Sequence, residues 1–198
     1  MDTGPSTRQR LIDAMVDALQ RRGLHGVGVA ELLELAQAPK GVLYHHFPGG
    51  KTELAVAAID ATVARLVGSL DRLSAPGADP AAALRRWLDA ARAQLESSGF
   101  DRGCPLATVA LESGADDLAL RDALARGFDA IRASIARAFV AAGIAPDNAR
   151  PLAALVVSAY EGGLLQARVA GAAGPMLDTT DGLLAVVRQH LPGSKEDR

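Results

Sequence analysis

Six large apolar residues, Leu120, Leu124, Phe128, Ile131, Ile135 and Phe139, recur at steps of 4, 4, 3, 4 and 4. An α-helix, with about 3.6 residues per turn, brings all six onto one face. A strand would divide them between two faces. A helix with so long an apolar stripe is stable only when that stripe packs against other elements. The chain must therefore supply partners for it.

The remaining segments carry the same period. Ser6-Thr7-Arg8-Gln9 has the spacing of a capping box, and Leu11, Ile12, Met15, Val16 and Leu19 follow on one face up to Gly23. Val29, Leu32, Leu33 and Ala36 fit a second, short helix that ends at Gln37-Ala38-Pro39. A third short helix is predicted over 40–47, broken by Pro48-Gly49-Gly50. A long helix is predicted over 51–73, followed by a linker, Ser74-Ala75-Pro76-Gly77. Asp79 caps a fifth helix with Pro80 at its first position. Shorter and longer helices follow over 105–112, along the opening stripe, from Pro146 to a break at 171–175, and over 179–190. With no convincing strand, the fold class is all-α. The reading places a three-helix head over 1–50 and a larger helical body over 51–198, the helix at 51–73 connecting the two.

Composition narrows the function classes. Hydrophobic residues make up 49% of the chain and charged residues 22%, enough apolar surface for a real core. Ala and Leu dominate, and both enter helices at low entropic cost. A single cysteine, Cys104, excludes an internal disulfide and any CxxC zinc or redox motif. Buried packing is its first reading, pocket lining the second. No segment resembles a signal region or has 18 uncharged apolar residues, so no membrane role and a cytoplasmic location are expected. The adjacent His45 and His46 diverge around a helix and make a poor metal pair, and neither a metal nor a cofactor is expected. No acid, base and nucleophile converge, which argues against an enzyme. A helical adaptor that binds protein alone would leave the 40–51 segment unexplained.

Residues 29–47 have the dimensions of a helix-turn-helix, whose second helix enters the major groove. Leu43 and Phe47, four apart, can face the head's core. Lys40, Gly41, Val42, Tyr44 and His45 then remain on the outer face. Lys40 and the Tyr44 hydroxyl suit phosphate oxygens, Gly41 permits close backbone approach, Val42 can meet a thymine methyl, and His45 can reach a base edge or phosphate. Arg8 and Arg10 are further phosphate candidates. Lys51 and Thr52 open the next helix, whose N-terminus favours anions. Gly50-Lys51-Thr52 does not read as a nucleotide loop, because position 45 is His and a helix precedes it.

The run Gly41-Val42-Leu43-Tyr44-His45-His46-Phe47, followed by Gly49-Gly50-Lys51, resembles the recognition-helix signature of the TetR family of transcriptional regulators. Val29-Ala30-Glu31-Leu32-Leu33 resembles that family's first helix-turn-helix helix, and Arg102-Gly103-Cys104-Pro105-Leu106 its LmrA/YxaF-type branch. The resemblance implies a ligand-responsive repressor: a homodimer with two heads on a near-palindromic double-stranded DNA operator, released by a small apolar or amphipathic effector. It implies DNA-backbone contacts at Lys51 and at Val29. Gly28 and Val29 lack the hydroxyl that the family often has there, and Pro39 stands where Ser is common. Ligand contacts are expected among Trp87, Leu88, Phe100, Cys104, Phe128, Ile131, Tyr160 and Arg168, with Gln94, Glu112 and Ser158 as further polar candidates. A dimer interface on the last two helices would use Leu155, Ala159, Gly162, Gly163, Leu183, Val186 and Val187, unless these pack only within one chain.

Charge agrees with this division. The whole chain has a net charge of -2, but residues 1–52 hold six basic residues (Arg8, Arg10, Arg21, Arg22, Lys40, Lys51) against five acidic ones (Asp2, Asp13, Asp17, Glu31, Glu34). The head is thus +1 and the remainder -3, so repulsion by the body would help keep DNA on the head.

Overall fold

A computed structural model describes residues 4–71 and 79–192. Among the described residues there are nine helices and no strand: α1 (Thr7–Arg22), α2 (Val29–Leu35), α3 (Val42–His46), α4 (Gly50–Leu70), α5 (Pro80–Ser97), α6 (Pro105–Glu112), α7 (Leu118–Ala141), α8 (Pro146–Ala170) and α9 (Gly174–Arg188). The expected linker at 74–77 and the last residues of the expected 51–73 helix lie outside the described residues. None of the described helices is long and apolar enough to cross a membrane. The chain divides into two compact units, residues 1–63 with 103–127 and residues 64–102 with 128–198. The helix of the opening stripe serves both: Leu120 and Leu124 are buried in the first, Ile131, Ile135 and Phe139 in the second.

In the first unit, Ser6 caps α1, its hydroxyl accepting from the Gln9 N–H at 3.2 Å. The reciprocal half of the capping box is absent, because the Gln9 amide donates to Asp13 instead. Leu11, Met15 and Leu19 of α1 pack into a core with Leu32, Leu43, Phe47, Leu54 and Ile59, each 1% exposed or less. Arg10 ties this core's edge together: its Nε donates to the Ala36 carbonyl at 2.9 Å, and its other nitrogens to the Pro5 carbonyl and the Thr7 hydroxyl. Helix α6 belongs to the same unit and packs on α1, with Leu106 and Val109 fully buried. Two polar ties fix it. The Gly103 N–H donates to the Gln20 carbonyl at 2.8 Å, and the Glu112 carboxylate accepts from the Leu24 N–H at 2.6 Å and the His25 N–H at 3.3 Å.

Helix α2 ends in a tight turn. The Ala38 N–H donates to the Leu33 carbonyl and the Gln37 N–H to that of Glu34, with Gln37 left-handed at φ 49. A side chain in that conformation costs about 1–2 kcal/mol, more than the ~0.4–1 kcal/mol of added chain freedom that glycine brings to the unfolded state. Gln37→Gly is expected to stabilise the protein by about 0.5–1 kcal/mol, read as a higher denaturant midpoint at unchanged m-value. A lower midpoint would show that Gln37 contributes a contact that offsets the strain.

In the second unit, Asp79 caps α5 by accepting from the Ala81 N–H at 2.9 Å, with Pro80 in the first turn as expected. Leu84, Leu88, Phe139, Val156, Met176, Leu184 and Val187 form its core. Helices α8 and α9 make an antiparallel pair around Gly171, which takes the left-handed conformation at φ 60. Their close approach is at Gly163, where an added Cβ would lie 3.0 Å from the Met176 sulfur. Helix α9 begins at Gly174, five residues before the expected start. Pro175 falls in its first turn, where no N–H is required, so it starts the helix rather than breaking one.

Candidate nucleic-acid interface

Helix α3 starts two residues later than its expected 40–47 span, and Gly41 explains why. Gly41 caps it in the left-handed conformation (φ 88), and an added Cβ there would meet nothing within 4 Å. Glycine is therefore required by conformation rather than by crowding, and the backbone beside it is open. Leu43 and Phe47 are buried at 1% exposure each, as their spacing predicts. Lys40, Gly41, Tyr44 and His45 are exposed, and Val42 is half-buried. The Tyr44 ring is 61% exposed, and its edge lies 3.3 Å from the position a Cβ of Gly50 would take. Gly50, itself at φ 68, thus seats the ring while leaving its hydroxyl end outward. His45 and His46 do not diverge: their rings meet edge to face, 4.9 Å apart, closing the ~100° of rotation between adjacent helical positions.

Neighbouring segments flank this face. The Arg8 guanidinium lies over the Phe47 ring, 5.1 Å from its centroid, a cation–π contact that holds a positive charge beside the end of α3. At the start of α4 the Glu53 carboxylate accepts from the Gly49 N–H at 2.7 Å. Lys51 is half-buried and Thr52 exposed in the same turn. Val29 opens α2 half-buried, and Gly28 before it makes no side-chain cap.

The electrostatics sharpen the charge count. Arg21 pairs with Asp17, and Arg22 with Glu31 at 2.5 Å. The Glu31 hydrogen bond holds the Arg22 guanidinium still further above its ordinary pKa. Arg10 is committed to Ala36, Pro5 and Thr7. Lys40 and Lys51 form no ion pair among the described residues. Arg10 keeps its charge, since its partners are neutral, so the head's basic groups without a carboxylate partner among the described residues are Arg8, Arg10, Lys40 and Lys51, of which Arg10 is held in place by its hydrogen bonds. Arg10, a phosphate candidate by sequence, is instead turned onto the Ala36 and Pro5 carbonyls and the Thr7 hydroxyl, and neither this nor the role of Glu53 is legible in the sequence, because no side-chain pattern reveals a backbone partner.

The other candidates are more scattered. Trp87 and Tyr160 meet with ring centroids 4.8 Å apart, and the Trp87 indole N–H donates to the Ser69 hydroxyl at 2.8 Å. Leu88 and Ile131 are buried, whereas Phe100, Phe128 and Arg168 are half-buried. Cys104 is 6% exposed at the N-cap of α6 in the first unit. Glu112 is engaged by the Leu24 and His25 amides, so it is not a free orienting group for a ligand. Gln94 and Ser158 are exposed. Of the residues expected at a dimer interface, Gly163, Leu183 and Val187 are buried within the chain, Ala159, Gly162 and Val186 are half-buried, and Leu155 is exposed. Leu165 and Val169 are exposed on the same side of α8 as Leu155 and were missed. The signal for them is the run 151, 155, 158, 162, 165, 169, at steps of 4, 3, 4, 3 and 4.

Comparisons with known proteins agree with this geometry. Residues 11–58 match the family described as bacterial regulatory proteins, tetR family, and residues 80–181 match the C-terminal domain of LmrA/YxaF-like transcriptional regulators. The HTH-type transcriptional regulator Rv0196 of Mycobacterium tuberculosis is 34% identical over 174 residues, covering 82% of this chain and 84% of that protein. The HTH-type transcriptional regulator YxaF of Bacillus subtilis is 27% identical over 165 residues, covering 83% and 86%. A crystal structure of the regulatory protein TetR from Rhodobacter sphaeroides superposes with a TM-score of 0.81 at 29% identity, covering 90% of this chain and 97% of that one. The open face of α3 and matches over both parts of the chain lead to one conclusion: this protein belongs to the TetR family, a DNA-binding transcriptional regulator with an LmrA/YxaF-like C-terminal domain, and not an enzyme.

Proposed function

We propose that the protein is a cytoplasmic repressor that binds a near-palindromic operator as a homodimer and leaves it when a small apolar or amphipathic ligand binds the body. The observation that carries the DNA reading is α3 itself. Leu43 and Phe47 anchor it, while Lys40, Tyr44 and His45 face outward beside the unpaired Lys51. Two such helices would enter successive major grooves about 34–36 Å apart. Arg8, Lys51 and Thr52 would hold phosphates on either side, and Val29 would lie along the backbone.

Ligand responsiveness draws support from α6. It lies within the 80–181 match yet packs in the same compact unit as α3. A ligand that shifts α6 would act on α1 through Gly103 and Glu112. DNA affinity would change by the ligand's preference between the two arrangements.

Fluorescence anisotropy with the chain's own upstream DNA tests the proposal. Site-specific, salt-sensitive binding is expected, and its absence would sink the repressor reading. Tyr44→Ala should weaken binding about tenfold at unchanged thermal stability, the size of one lost contact of roughly 1–1.5 kcal/mol. Lys51→Gln should lower the slope of log affinity against log salt by about 1, across all sequences alike. Affinity unchanged in both variants would remove α3 from the interface.

A further inference from the structure

The second unit carries a groove of 380 Å³ where α7 ends and α8 begins. Its origin is local. Helix α7 closes with the Ile144 N–H donating to the Phe139 carbonyl and the Gly143 N–H to that of Val140, with Gly143 at φ 89. Ile144 turns inward and is 2% exposed, and Pro146 starts the next helix at once. The walls facing this corner are short: Ala136, Ala141 and Ala149 leave unfilled the volume that larger side chains would occupy. Val140 lines the same groove and is 45% exposed, an apolar side chain left in water.

Arg137 and Arg150 complete the lining, one from each helix. Neither makes a hydrogen bond or ion pair among the described residues, and Asp147 in the first turn of α8 pairs with neither. In this unit Arg85 pairs with Asp181, Arg92 with Glu96 and Arg132 with Asp129, whereas Arg86 and Arg188 have no such partner among the described residues; Arg137 and Arg150 differ from those two in lining an apolar groove together. Both guanidiniums are exposed, and an anion that also carries a hydrocarbon part would match the two charges and the apolar wall together.

We propose that this groove binds a dissolved single-chain amphipathic carboxylate, its alkyl chain against Val140 and the three alanines and its head on Arg137 and Arg150. The guanidinium fork matches a carboxylate in shape and charge. The volume falls within the roughly 300–1,000 Å³ of small-molecule sites and admits one chain rather than a bilayer surface. A second copy docking through its α8 stripe would bring no anion, because 151, 155, 158, 162, 165 and 169 are all uncharged. Arg150 also lies about 100° around the helix from Pro151, which begins that stripe. The site is distinct from the effector binding proposed above and does not depend on it.

Isothermal titration of the full chain with dodecanoate below its micelle concentration tests this, with dodecan-1-ol and anionic vesicles as controls. Saturable dodecanoate binding is expected, weakened at least about tenfold in the Arg137→Gln/Arg150→Gln variant and by high salt, with dodecan-1-ol and vesicles binding far more weakly. Ala141→Trp, at an exposed position, should block the groove without removing a charge. Thermal stability and operator affinity without dodecanoate should be unchanged in both variants. Equal dodecanoate binding in wild type and both variants would place the probe elsewhere and overturn the proposal. Absence of saturable binding, or equal binding of the alcohol, would also overturn it. A change of sedimentation coefficient in the arginine variant would assign the groove to an interface between copies instead.

Discussion

Leu165→Arg is expected to leave a folded chain that no longer dimerises and that binds its operator about 10²–10⁴-fold more weakly. The α8 face at 151, 155, 158, 162, 165 and 169 reads Pro, Leu, Ser, Gly, Leu, Val, with no charge over five turns. Leu155, Leu165 and Val169 are 42, 56 and 82% exposed, so each contributes little to the core of its own chain. A charge at Leu165 therefore leaves folding intact. In a two-fold pairing of this face each residue meets the same patch of its partner, so an Arg is buried without a counterion on both sides. A monomer then engages one half-site and loses the avidity of two. Sedimentation equilibrium gives the mass, and anisotropy on full and half operators gives the affinity. A variant that stays dimeric would move the interface to another face, and a monomer with unchanged operator affinity would remove the two-headed mechanism.

The legibility of the chain follows from how far each signal reaches. A residue that decides its own neighbourhood is legible from the sequence. Pro80 and Asp79 start α5, the six-residue stripe lies in α7, and Leu43 and Phe47 turn inward. Local reading erred where one residue type has two uses. Pro175 reads as a break because a proline ends a helix interior, yet the same missing N–H suits a first turn. Lys40 reads as part of α3 because nothing in its own side chain reveals that Gly41 has a positive φ. The least legible features join distant residues. Glu112 looked like a polar group on an apolar face, and 88 positions separate it from the Leu24 amide that it binds. The head also recruits 103–127, a segment whose sequence gives no sign that it belongs with α1 rather than with the helices around it. The exposed face of α3 is readable because its residues are local to one short helix, while groove residues such as Arg137 and Arg150 acquire meaning only from the corner that brings them together.

Gly23→Ala and Glu112→Ala should each destabilise the protein strongly, and their effects should not add. Gly23 closes α1 at φ 76 and ψ -176, a region that only glycine occupies without strain. A Cβ there would lie 1.9 Å from the Glu112 Oε1, so the carboxylate must leave its place for alanine to fit. That displacement breaks the bonds from the Leu24 and His25 amides. Backbone strain of about 1–3 kcal/mol and the loss of a charged acceptor, about 1.5–3 kcal/mol, together put Gly23→Ala at roughly 3–5 kcal/mol. Glu112→Ala removes the same acceptor directly, at about 2–3 kcal/mol, because the Leu24 N–H is left buried without a partner. In the double variant no carboxylate remains to be displaced, so alanine at 23 adds only its backbone strain. The double variant should therefore be less destabilised than the sum by about 2 kcal/mol in a urea-unfolding cycle, well outside the ~0.5 kcal/mol scatter of independent sites. Additive costs would mean that Glu112 does not hold the α1–α2 loop. Operator affinity supplies a second readout. If Glu112 sets the position of α1 in the head, Glu112→Ala should weaken DNA binding more than its loss of stability explains, and Glu112→Gln should restore it, since both amides donate to the one oxygen Oε2 and an amide oxygen in its place can accept both bonds. A parallel fall in both would confine Glu112 to holding the fold.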